Sequence, residues 1–104
     1  MGEVKSIGFL LFGGPNSQDC TLVEGISSAA LKRGIHVEIF MMYEAVLNSA
    51  NEKFLKLADD GAKITVCAHN SDELKVQRSD KFHYGSQYDH SKMIYDVDRY
   101  IALT

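Results

Sequence analysis

The segment Val4–Phe12 is apolar at nearly every position and breaks at Gly13-Gly14-Pro15. A strand that is apolar on both faces needs cover on both, which places it inside a sheet with helices on either side. The rest of the chain must supply that cover.

It does so by alternation. Asn16 or Ser17 can cap a helix whose stripe is Leu22, Val23, Ile26, Ala29 and Ala30. Gly34 ends it behind Lys32 and Arg33, cations that suit the last turn. Ile35–Tyr43 reads as a second strand. Ser49 and Glu52 match a capping box before a helix carrying Phe54, Leu55, Leu57 and Ala58, closed by Gly61. Ala62–Cys67 is a third strand. Asn70 and Glu73 match a second capping box, which predicts a short helix from near Asn70 with Asp72 and Glu73 in its first turn. Lys75–Tyr84 is polar and irregular and reads as a mobile loop. After Gly85 come a helix over Ser86–Val97 and a last strand over Asp98–Thr104.

Strand and helix in alternation predict an α/β protein. The expected form is a three-layer α/β/α fold with a mostly parallel sheet of four or five strands, in a flavodoxin-like arrangement. The 104 residues suit a single domain over 1–104, with no repeat, linker or low-complexity segment. In such sheets ligands gather past the carboxyl ends of the strands. Cys67 stands at such an end, and Cys20 lies in the first turn of the helix after strand one, on the same edge. A 2-1-3 strand order would make strands one and three neighbours and let both thiols share a cleft.

Composition narrows the function. A formal net charge of −3 argues against a general DNA binder, which needs a basic face. Two cysteines are too few for a disulfide scaffold. The opening MGEVKSIGFLLFGG is too short in its apolar part for a membrane span and lacks a basic head with a cleavage pattern. A cytoplasmic protein with reduced thiols is the resulting expectation.

Two readings stand for Cys67. A free cysteine commonly acts as a small buried hydrophobe. At a strand exit beside a helix start, it is also placed for chemistry, because the backbone N–H groups at Asn70 and Ser71 favour a thiolate. Asp72 and Glu73 would partly offset that field, and His69 is near enough in sequence to pair with the sulfur. Cys20 is either a core residue or a second thiol. The loop Gly13-Gly14-Pro15-Asn16-Ser17 lacks the Gly-Lys-Ser/Thr ending and the GxGxxG spacing of phosphate loops. A tight turn is its plain reading, and Gly14, Asn16 and Ser17 remain candidates for an anion contact through backbone N–H groups. Four histidines, His36, His69, His83 and His90, show no metal-binding spacing, so no metal is expected. His83 and Tyr84 either cover the cleft or are plain surface. Tyr88, Met93, Ile94 and Tyr95 read as helix packing or as a subunit interface.

The order of features resembles the DsrE/DsrF-like family of sulfur-relay proteins. The likeness lies in the Gly14-Pro15 turn, Arg33-Gly34-Ile35-His36-Val37 leading into strand two, Phe40–Val46 (FMMYEAV), and Gly61–Cys67 (GAKITVC), where the family's cysteine closes strand three. Gly85-Ser86 and Asp98–Leu103 match the closing helix and strand. Members often carry an Arg-Gly pair after the cysteine; here Glu73-Leu74-Lys75 follows, and Asn16-Ser17-Gln18 lacks the tyrosine some members show. The resemblance implies a homo-oligomer, trimer or hexamer, that carries sulfane sulfur as a persulfide on Cys67. Sulfur-donor and sulfur-acceptor proteins would be its partners, and no cofactor is expected. Whether it acts as a sulfurtransferase or as a carrier stays open. The competing readings are a non-catalytic assembly or regulatory subunit of the same fold and, on fold analogy with Gly13-Gly14 alone, a small nucleotide or flavin binder.

Overall fold

The computed structural model describes residues 3–104. Its strands are β1 (Ser6–Leu11), β2 (His36–Met41), β3 (Lys63–Cys67), β4 (His83–Gly85) and β5 (Arg99–Leu103). Its helices are α1 (Gln18–Lys32), α2 (Glu52–Asp59), α3 (Ala68–Glu73) and α4 (Gln87–Asp96), and a 3-10 segment spans Tyr43–Ala50. All the strands are parallel, in the order β4-β3-β2-β1-β5. The architecture is the expected three-layer α/β/α fold of flavodoxin-like arrangement.

Handedness explains the layers. The chain steps from β1 to β2 to β3 in one direction, so right-handed crossovers put α1 and α2 on one face, where they pack together. It then runs back from β4 to β5, so the helix of that crossover must lie on the other face. Accordingly His90 of α4 stacks on Phe40 at 5.1 Å, and Met93 sits against Gly8. The core between these layers includes Phe9, Leu11, Val37, Ile39, Met41 and Val66.

The strand order is not the 2-1-3 arrangement that would let the two thiols share a cleft. β2 lies between β1 and β3, and β1 is flanked by β2 and β5. The buried stripe of α1 also differs from the expected one. It is Cys20, Val23, Ser27 and Ala30, while Leu22 is half exposed. Ser17 is the cap, its Oγ accepting the Cys20 N–H at 3.1 Å. Gly34, with φ +76°, ends α1 in a left-handed conformation that suits glycine.

Both capping-box expectations near the middle of the chain are corrected. α2 is capped by Asn51, whose Oδ1 accepts the Lys53 N–H at 3.1 Å, and Ser49 is buried instead in the 3-10 segment. α3 begins at Ala68 with Cys67 as its cap, so Asp72 and Glu73 fall at its end and not in its first turn. The segment expected to be a mobile loop is fastened. The Val76 N–H donates to Ser71 O at 2.8 Å, and the Ser79 N–H donates to the Tyr84 hydroxyl, which donates to Ser49 Oγ. Its last residues form β4, paired in parallel with β3. The final helix starts as expected at Ser86, with a capping box closed by Asp89.

Candidate functional site

A cavity of about 710 Å³ opens at the carboxyl edge of β2, β3 and β4. Met42 and Tyr43 enter from the end of β2. Cys67 stands at the floor, followed by Ala68, His69, Asn70 and Glu73 of α3. Gly85, Ser86 and Gln87 form the far side. The β3–β4 register pairs Cys67 with Gly85, so the thiol's neighbour on that side has no side chain and leaves it room.

Cys67 is buried, with 8% of its surface exposed. Its Sγ accepts the backbone N–H of Asn70 at 3.4 Å. The thiol thus takes the place of the oxygen in a helix N-cap. Asn70 does more than donate that N–H. Its Oδ1 accepts the Tyr43 N–H at 2.8 Å, and its Nδ2 donates to Glu73 Oε1 at 2.9 Å. The Asn70–Glu73 spacing that resembled a capping box is therefore an i,i+3 side-chain pair. Tyr43 has φ +52°, a left-handed conformation costly for a tyrosine. Its ring meets Phe12 edge-on at 4.7 Å.

The other expected residues are placed differently. His69 lines the cavity, but its ring faces Glu73 at 3.5 Å and not the sulfur. Ser71 is buried and does not line the cavity; its hydroxyl donates to Cys67 O at 2.8 Å. Cys20 belongs to another network. Its S–H donates to Asn48 Oδ1 at 3.3 Å, and burial pushes its thiol up, an effect the Asn48 hydrogen bond opposes. Asn48 is fully buried and also takes an N–H from Asn51. Cys20 does not line the Cys67 cavity, and both cysteines are free thiols.

Gly14 and Ser17 satisfy one another, since Gly14 O takes both the N–H and the hydroxyl of Ser17. Asn16 borders a separate open depression with Pro15 and Lys53. None of these loop residues lines the Cys67 cavity. Tyr84 is bonded to Ser49 in the fold, whereas the His83 ring faces Asp89 at 3.6 Å; neither covers the cleft. Met93 of the late aromatic stripe packs in the core, while Tyr88 and Tyr95 are exposed. Among the described residues, no group of three or more His, Cys, Asp or Glu is placed to hold a metal. None of their helices is long and apolar enough to cross a membrane.

Sequence reasoning missed Tyr43, Met42 and Gln87 as cavity residues. Gln87 donates to Met42 Sδ at 3.1 Å and accepts from His90 Nδ1 at 3.0 Å. His90 then meets the Tyr100 hydroxyl through Nε2 at 2.8 Å. With Nδ1 donating to Gln87, a neutral His90 accepts the Tyr100 proton on Nε2. Burial holds the His90 ring below its usual range and pushes the Tyr100 hydroxyl up. This row of side chains links the cavity wall to the layer beneath α4.

No family model matches the sequence, and no curated protein matches it significantly. Solved structures do match the fold. The YchN protein from E. coli superposes with a TM-score of 0.80 at 11% identity, covering 95% of this chain and 99% of its own. BT1422, a conserved protein of unknown function from Bacteroides thetaiotaomicron, gives a TM-score of 0.78 at 11% identity, covering 95% of each chain. At this identity the likeness establishes the architecture that carries the cavity.

Proposed function

We propose that the protein is a small sulfur-relay carrier in which Cys67 accepts sulfane sulfur as a persulfide and hands it to a partner thiol. The observation that supports this most is the position of Cys67. Its sulfur sits at a parallel strand exit, inside a cavity, with the Asn70 N–H aimed at it at 3.4 Å. That N–H is placed to stabilise negative charge on sulfur. The YchN/DsrE-like architecture is consistent with the reading.

The exchange needs no oxidant. The Cys67 thiolate attacks the outer sulfur of a persulfide R–S–SH. A new S–S bond forms to Cys67, the old S–S bond breaks, and the departing R–S⁻ takes the proton that Cys67 gave up. Transfer to the acceptor is the same step in reverse roles. The reading includes donor and acceptor proteins as partners and self-association of the chain, which sedimentation would test. Mass spectrometry after exposure to a persulfide donor tests the central claim. Cys67 should gain one sulfur atom, and Cys67→Ser should gain none there while keeping its fold, since serine is also a good helix cap. An intact protein whose Cys67 takes up no sulfur would overturn it.

The 8% exposure of Cys67 favours a second reading, an assembly or regulatory subunit in which the thiol only caps α3. On that reading Cys67→Ser supports the pathway normally, and loss of function in that variant counts against it.

A further inference from the structure

The charge and size of the cavity bear on which sulfur compounds can reach Cys67. Among the residues lining it, Glu73 is the one fixed charge, with His69 beside it at 3.5 Å; no lysine or arginine is present. Its lining at the end of β2 is Met42 and Tyr43, residue types that suit apolar and sulfur-bearing groups. At about 710 Å³ the space exceeds what a lone sulfur needs and falls in the range of small-molecule sites. An anion entering it would meet a carboxylate and no lysine or arginine.

We infer that the site takes sulfur from an organic hydropersulfide with an apolar body, bound in its uncharged form R–S–SH, and discriminates against anionic donors such as thiosulfate. The inference rests on the sulfur-accepting role of Cys67 proposed above. It agrees with the chemistry of the step. The protonated persulfide is the electrophile, and its outer sulfur is the atom that Cys67 attacks while R–S⁻ leaves and is protonated. A dianionic donor would have to place its charge beside Glu73 to present its outer sulfur to the thiol.

The test pairs reagents of similar shape and different charge. Cys67 is labelled with iodoacetamide or with iodoacetate, and peptide mapping separates it from Cys20. The ratio of the two rates in the folded protein should exceed the ratio for the same cysteine in urea by about threefold or more, the order expected for one partly screened charge nearby. Glu73→Gln keeps an acceptor for Asn70 and should bring the ratio back toward the unfolded value. In parallel, the protein is exposed to benzyl hydropersulfide or to thiosulfate and weighed. Faster sulfur gain on Cys67 from the hydropersulfide, with the shifted ratio, supports the inference. Equal or faster gain from thiosulfate, or an unshifted ratio, overturns it and leaves the carrier reading in place. No sulfur from either compound overturns the carrier reading and the inference with it.

Discussion

The Asn70 side chain accepts the Tyr43 N–H at 2.8 Å, so one asparagine joins the exit of β2 to the helix whose cap is Cys67. Asn70→Ala would leave the Tyr43 N–H and the Glu73 carboxylate without this partner. The loss should be about 1–3 kcal/mol, read by urea denaturation. Tyr43→Gly removes the strain of φ +52° and should recover part of it in the double variant. Additive effects of the two changes would show that Asn70 does not hold Tyr43 in place.

Ser27 makes the opposite point about burial. Its hydroxyl is fully buried in α1 without a hydrogen-bond partner. Ser27→Ala should therefore raise stability, by about 1 kcal/mol, since alanine fits the space and is the better helix former. A clear loss in thermal or urea unfolding would mean the hydroxyl has a partner in solution.

The His90 ring, stacked on Phe40, gives stability a pH dependence. Burial holds its folded pKa below the ordinary 6.5. The unfolded chain then binds a proton first as pH falls, so the contribution is full above 6.5 and is lost as pH drops through the folded value. His90→Phe, paired with Tyr100→Phe to remove the orphaned hydroxyl, should flatten unfolding free energy against pH in that window. An unchanged slope would locate the titration elsewhere.

Gly85 is closely approached by two side chains. A Cβ there would collide with the Asp89 carboxylate and press on the His83 ring. That carboxylate accepts the Ser86 N–H at 2.9 Å and closes the capping box of α4. Gly85→Ala should cost about 1–2 kcal/mol through the lost cap and the crowding, seen as a lower melting temperature. It should also slow alkylation of Cys67, the residue paired with Gly85 across the strands. Unchanged melting would mean that α4 starts without this box.

The features legible in sequence are those with a local cause. The apolar run before Gly13, the helix ends at Gly34 and Gly61, and the helix start after Gly85 all announce themselves within a few residues. So does the placement of Cys67 at a strand exit. Strand order is different, because orders 2-1-3 and 3-2-1 share one alternation and differ only in which face each crossover takes. β4 is three residues long with no apolar run, so nothing in its composition separates it from a loop. Cys67 as a cap escaped because sulfur is a weak acceptor and Asn70 offered a more familiar match. Nothing in the stretch Phe40–Val46 marks Tyr43 as left-handed; the partner that meets its N–H is the side chain of a residue 27 positions away.

The clasp between Ser6 and Asp98 has a consequence for synthesis. Asp98 Oδ2 accepts the N–H groups of Lys5 and Ser6, Ser6 Oγ accepts the N–H of Asp98, and backbone donors hold that carboxyl below its usual range. These contacts span more than ninety positions, and they seat β5 against β1. A nascent chain emerging from the ribosome can pair β1 with β2 early, but its other edge stays open until Arg99–Leu103 has been translated. Until then, one of the most apolar strands of the protein is an unprotected sheet edge.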